Sequence, residues 1–177
     1  MGDSNKAMTL TAKNIILIGM PGAGKSTIGS LLAKQLGKDF VDTDLLIQQA
    51  HNRSLQEIID KSGYLRLRQY EEQILINLTF TDKVVATGGS TVYSDSGMQR
   101  LRANGVVVFL DLNLAELKRR VTNFNDRGIA RRSDQSMDDL YAERRPLYQQ
   151  YADITLDCTA LDIQKTLQSV VQSLDNQ

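Results

Sequence analysis

The stretch Gly19-Met20-Pro21-Gly22-Ala23-Gly24-Lys25-Ser26-Thr27 carries the most specific chemistry in the chain. It fits G-x-x-x-x-G-K-[ST], in which glycines let backbone N–H groups turn inward around phosphate oxygens. The N-terminus of the helix that follows adds partial positive charge at the same spot. Lys25 can reach terminal phosphates, and the Ser26 hydroxyl can ligate Mg²⁺. Gly22, Ala23, Gly24, Lys25, Ser26 and Thr27 are therefore the expected nucleotide-binding residues. A dinucleotide fingerprint does not fit, because Gly22-x-Gly24 would need a third glycine at position 27, which is Thr.

A phosphate cradle alone does not separate a kinase from a GTPase, but no N-K-x-D guanine-reading motif is present. Asp42-Thr43-Asp44 follows the short apolar pair Phe40-Val41. In extended chain, positions i and i+2 point the same way, so both carboxylates can face the cradle. One could hold Mg²⁺, directly or through water, and the other could orient or deprotonate an acceptor hydroxyl. The structural alternative is an acid-rich helix start with Asp44 near the N-cap. Asp111 competes for the metal: it follows the run Val106–Leu110, as a Walker B carboxylate would, or else it is a turn residue. Arg66, Arg68, Glu71 and Glu72 share one helix. They form either surface ion pairs at i, i+3 and i, i+4, or an arginine held by a carboxylate and presented to an anionic substrate. Gly88-Gly89, just past a strand, allows close approach by a ligand or simply makes a tight turn.

These residues need a scaffold, and apolar runs alternate with amphipathic segments along the chain. Strands are expected at Asn14–Ile18, Phe40-Val41, Val84–Ala86, Val106–Leu110 and Ile154–Leu156. Helices are expected at Ser26–Leu36, Leu45–His51, Leu55–Asp60, Leu65–Leu78, Gly97–Arg102, Leu114–Val121, Met137–Tyr151 and Ile163–Leu174. This alternation predicts an α/β fold, a five-stranded parallel sheet with helices on both faces. Residues 123–135 are polar, without a period, and are expected to form a loop, either a functional lid or a disordered segment. Residues 1–12 are expected to be a flexible tail on one domain spanning 13–177.

The chain has 177 residues, 41% of them hydrophobic, enough for one domain with a sizeable core. Its 21 Lys+Arg and 21 Asp+Glu cancel, which argues against a general nucleic-acid binder. One Cys and one His exclude a disulfide framework, a Cys-rich zinc site and an H-E-x-x-H metalloprotease. Cys158 reads as a small buried residue, and His51 as solvent-exposed. The opening residues lack a signal-peptide core, and the myristoylation pattern fails at Lys6. No run is long enough to cross a bilayer. A cytoplasmic monomer with no membrane or nucleic-acid partner is expected.

Taken together, the order of features resembles the shikimate kinase family from about Lys13 to Leu174. The matching elements are Gly19–Thr27, Phe40–Asp44, Gly63 followed by Arg68 and Glu71, Gly88-Gly89, a lid containing Arg127, and Arg144-x-x-Leu147-Tyr148 with Ala152. The resemblance implies a five-stranded parallel P-loop kinase fold with a mobile lid at about 123–135, and transfer of the ATP γ-phosphate to the 3-hydroxyl of shikimate, in aromatic amino-acid synthesis. It implies that Lys25, Asp44 and Arg127 are catalytic and that Asp44 binds the acceptor hydroxyl. Arg68 and Arg144 would hold the shikimate carboxylate, and Gly88 and Gly89 would line its ring. Ser26 and Asp42 would serve Mg²⁺, Arg120 would pack near the adenine, and Glu71 would steady an arginine.

The chain departs from the family pattern at Ser90, where a third glycine is usual, at Leu67 for Phe, at Tyr64 for an acidic residue, and at Gly128-Ile129-Ala130 in the lid. Two rivals stand beside the kinase reading: a kinase for another small hydroxy acid such as gluconate, and a non-catalytic nucleotide-binding relative. The zero net charge is also uneven. Between Lys118 and Arg132 there are six basic residues and one acid, which predicts a focused positive field for small anions.

Overall fold

The computed structural model describes residues 14–79 and 81–176, so the tail expected at residues 1–12 lies outside the described residues. The strands β1 (Asn14–Ile18), β2 (Asp39–Asp42), β3 (Lys83–Ala86), β4 (Gly105–Asp111) and β5 (Ile154–Asp157) form one five-stranded sheet in the order β2-β3-β1-β4-β5. Every pairing is parallel. Runs such as Ile15-Ile16-Leu17-Ile18 and Val106-Val107-Val108 favour this arrangement because both faces of a parallel sheet are covered. All of β1 is buried, as is β4 from Val106 onward.

The helices are α1 (Lys25–Leu36), α2 (Thr43–His51), α3 (Leu55–Ser62), α4 (Tyr64–Asn77), α5 (Asp95–Asn104), α6 (Leu114–Arg120), α7 (Met137–Tyr151) and α8 (Ile163–Asp175). Their starts are written locally. Ser54 with Glu57, and Ser136 with Asp139, close reciprocal capping boxes on α3 and α7. Among the described residues, no helix is long and apolar enough to cross a membrane.

From β1 the chain crosses to the edge strand β2, returns to β3 beside β1, and later places β4 on the other side of β1. A sheet wound in both directions from a central strand opens a crevice at the carboxyl ends of its strands. The main core surrounds the sheet, while Ile47, Ile58, Leu67 and Ala130 make a smaller cluster that joins α2, α3 and α4 to the loop 123–135.

Every expected strand and helix is present, with boundaries moved by no more than two residues. A 3-10 turn at Thr91–Tyr93 was not anticipated, because so short a segment shows no period. The extended geometry expected across Asp42–Asp44 is also corrected. Asp42 ends β2 and caps α2, accepting from the N–H groups of Asp44 (2.9 Å) and Leu45 (3.3 Å). Asp44 therefore reaches the crevice from a first helical turn. His51 is half-buried rather than exposed, stacked on Tyr70 with ring centroids 3.8 Å apart. Cys158 is buried, and burial pushes its thiol up to about 11.

Candidate active site

β1 ends at Ile18 and the chain turns through Gly19–Gly24 into α1. Gly22 and Gly24 hold φ of +87° and +94°, a region that side chains disfavour, and a Cβ at Gly22 would overlap Val121. No side chain caps the N-terminus of α1, so its first N–H groups are left for ligand oxygens. Lys25 is buried, and its Nζ donates to the carbonyls of Gly19 (2.8 Å) and Met20 (2.9 Å). Burial pulls its ammonium down to about 8, against the opposing pull of Asp44 and Asp42.

The Ser26 hydroxyl donates to Asp42 Oδ2 at 2.5 Å, which places a hydroxyl and a carboxylate side by side at the mouth of the cradle. Among the described residues no group of three or more His, Cys, Asp or Glu could hold a metal alone. Mg²⁺ keeps several waters and takes phosphate oxygens, so this pair is the kind of donor set it needs. Asp44 is pushed up to about 6, first by burial and then by neighbouring Asp42, while Lys25 and Arg127 oppose the rise. Asp111 is not available to a metal: Arg145 grips it with two nitrogens at 2.7–3.1 Å.

A cavity of about 170 Å³ gathers Lys25, Asp44, Glu71, Gly89, Arg127 and Arg144 on its walls. A neighbouring groove runs past Gly22, Thr27, Arg119, Arg120 and Thr159. Arg127 is exposed and borders both spaces.

On the side of the cavity away from the groove, two arginines share one acceptor. The Ala130 carbonyl accepts from Arg144 Nη2 (2.8 Å) and from Arg68 Nη2 (3.1 Å). Tyr93 lies between them, its ring centroid 3.6 Å from Arg68 Cζ and 5.2 Å from Arg144 Cζ. Arg144 is 1% exposed and lines the cavity, whereas Arg68 faces an adjoining pocket with Thr91 and Tyr93. The expected pairing of Arg68 with Glu71 or Glu72 is absent. Glu71 accepts from Ser90, and Glu72 from Ser94 and Ser96. Glu71 therefore steadies no arginine by direct contact. Backbone contacts fix the Gly-Gly turn. The Gly88 N–H donates to Thr43 Oγ1 (3.0 Å) and the Tyr148 hydroxyl to the Gly89 carbonyl (2.6 Å). A Cβ at Gly89 would press on Pro21 (2.9 Å) and Arg144 (3.0 Å).

The positive run from Lys118 to Arg132 is largely compensated by acids, several of them outside it. Lys118 pairs with Asp138, Arg119 and Arg120 with Glu116, and Arg132 with Asp134 and Glu143. Arg131 packs over Phe124 and donates to backbone carbonyls. Of the six, Arg127 alone has no hydrogen bond or ion pair among the described residues. The broad field expected from the sequence narrows to this one side chain. Tyr93, and the pairing of Ser90 with Glu71, were missed by sequence reasoning. The departure at Ser90 was the available signal.

The shikimate kinase family model matches residues 21–175. The chain is 34% identical over 168 residues to a shikimate kinase of Haemophilus influenzae, covering 93% of each chain. It is 38% identical over 149 residues to one from Xanthomonas campestris, covering 82% of this chain and 83% of that one. The solved shikimate kinase of Acinetobacter baumannii in complex with shikimate superposes with a TM-score of 0.86 at 29% identity, covering 96% of both chains. A P-loop, a pair of arginines sharing one carbonyl beside it and this extent of likeness agree: the chain belongs to the shikimate kinase family.

Proposed function

We propose that the chain transfers the terminal phosphoryl group of ATP to the 3-hydroxyl of shikimate, giving shikimate 3-phosphate and ADP. One observation carries the assignment of roles: a single cavity holds Lys25 and Arg127 for phosphate charge, Asp44 for a hydroxyl, and Arg144 for a carboxylate. ATP lies along the groove, with its phosphates on the N–H groups of residues 22–27 and its base toward Arg120. Ser26 and Asp42, the latter through water, would hold Mg²⁺, which would supply charge neutralisation at the phosphates. Asp44 accepts the proton of the attacking hydroxyl, or orients it, once its own carboxyl is ionised. Arg144 binds the carboxylate of the acceptor, and Arg68 joins it when the Ala130 carbonyl gives way. The backbone of Gly88 and Gly89 borders the ring.

Phosphoryl transfer is dominated by positioning and charge stabilisation. Lys25 and Arg127 offset charge on the transferred group, and residues 123–135 close over it to exclude water. We read the protein as one domain over 13–177, acting as a cytoplasmic monomer. The reading is tested by coupled ADP release with shikimate, gluconate and related hydroxy acids. ADP release should follow shikimate alone, with a phosphate ester at its 3-hydroxyl. Turnover with gluconate instead, or ATP binding without turnover on any acceptor, would favour one of the two rivals.

A further inference from the structure

Ser90 stands at the position where the family pattern has its third glycine, and its hydroxyl donates to Oε2 of Glu71. Glu71 is 4% exposed, yet it lines the central cavity. Ser90 is its one hydrogen-bond partner among the described residues. The other oxygen, Oε1, is turned toward Gly88, where an added Cβ would overlap both Glu71 Oε1 and Asp44 Oδ1 (2.7 Å). The carboxyls of Glu71 and Asp44 thus both lie close against the Gly88 backbone, leaving no room for a methyl there. A buried carboxyl seeks a donor or a cation. Without the Ser90 hydroxyl, the cations at hand are Arg68 on the same helix and Arg144 on α7, whose charges both act on Glu71. A carboxylate that moved onto either would neutralise charge needed by the acceptor.

We infer that Ser90 is a positioning residue of the acceptor site: its hydroxyl keeps Glu71 off Arg68 and Arg144 and aims Oε1 at a second hydroxyl of a polyhydroxy carboxylic acid, beside the one that Asp44 orients. This rests on the function proposed above and adds a specificity element to it. Glu71 faces Asp44 from α2, Arg68 from α4, Arg144 from α7 and Ser90 from the turn after β3. Burial and then Asp44 push its carboxyl up to about 7, while Ser90, Arg144 and Arg68 pull it down. As a carboxylate, Oε1 accepts from the hydroxyl, so binding weakens as pH falls through that value. Removing the Ser90 hydroxyl raises the value and moves the weakening to higher pH.

The test uses Ser90→Ala, Ser90→Gly and Glu71→Gln in the full chain, with shikimate and ATP varied separately from pH 5.5 to 9. Loss of one hydrogen bond should raise the acceptor KM of both Ser90 variants about 2- to 12-fold. kcat and the ATP KM should hold, and the acid limb of acceptor kcat/KM should move to higher pH. Glu71→Gln should leave that limb to Asp44 alone. An unchanged acceptor KM with an unmoved limb overturns the proposal, as does a loss of kcat with no movement of the limb. Carbon-13 NMR titration of the Glu71 carboxyl in the unliganded protein needs no acceptor at all. A higher midpoint in Ser90→Ala supports the proposal, and an equal midpoint overturns it whichever acceptor the enzyme uses. Absence of turnover with shikimate in the unaltered protein would instead count against the function alone.

Discussion

The two ends of the crevice are built by different means. The nucleotide end is one continuous segment whose working groups are mostly backbone: the Gly19–Gly24 turn and the uncapped start of α1. On the proposed function, the acceptor end is assembled mostly from side chains of α2, α4, α7 and the turn after β3, with a backbone carbonyl of the loop 123–135, groups that meet only in the folded chain. A backbone cradle depends on a short local pattern and tolerates change around it. A side-chain site depends on who holds whom, and one substitution can redirect its partners.

Variants can break or sharpen that contrast. The largest effect is expected at the nucleotide end. Arg127→Ala should lower kcat on the order of 10³-fold, while the acceptor KM moves little, as steady-state kinetics would show. An unaltered kcat would remove Arg127 from the transition state. Asp44→Asn comes next, with kcat down on the order of 10²-fold. In the unaltered enzyme, activity should fall as pH drops through about 6, because Asp44 must be ionised to accept a proton and its carboxyl is pushed up to that value. At the acceptor end, Arg68→Ala should act on KM instead, raising it about 10- to 100-fold for the loss of a charged hydrogen bond. Equal loss with a hydroxy acid and its uncharged amide would contradict a carboxylate role. Tyr93→Leu should be milder, about 2- to 30-fold on the acceptor KM, because it removes a cation–π platform under the two arginines and the hydroxyl that accepts from Arg144 Nε, but no charge. The smallest effect is at Cys158: iodoacetamide at neutral pH should leave activity intact, since burial holds the thiol well above that pH.

The same contrast explains what could be read from the sequence. The phosphate loop and the parallel sheet were legible because each rests on local signals, a glycine spacing in one case and apolar runs in the other. Asp42, Asp44, Arg68 and Arg144 were recognisable as candidates, but their partners were not. The capture of Asp111 by Arg145 joins residues 34 apart in sequence, and the hydrogen bond from Ser90 to Glu71 joins residues 19 apart. Helical spacing suggested Arg68 with Glu71 or Glu72, yet nearby serines drew both acids away. Counting charge from 118 to 132 overstated the positive field, because Glu116, Asp134, Asp138 and Glu143 lie outside that window.

The Ala130 carbonyl already sits on both arginines, three residues after Arg127. On the proposed function, binding of the acid is then an exchange rather than an addition: a peptide oxygen of the loop leaves as a carboxylate arrives. The affinity measured for the acceptor is the difference between two sets of hydrogen bonds, and the evicted peptide belongs to the strap that carries Arg127. On that reading the enzyme holds an internal stand-in for its own substrate, and arrival of the real one would be felt first by the segment that must next act on ATP.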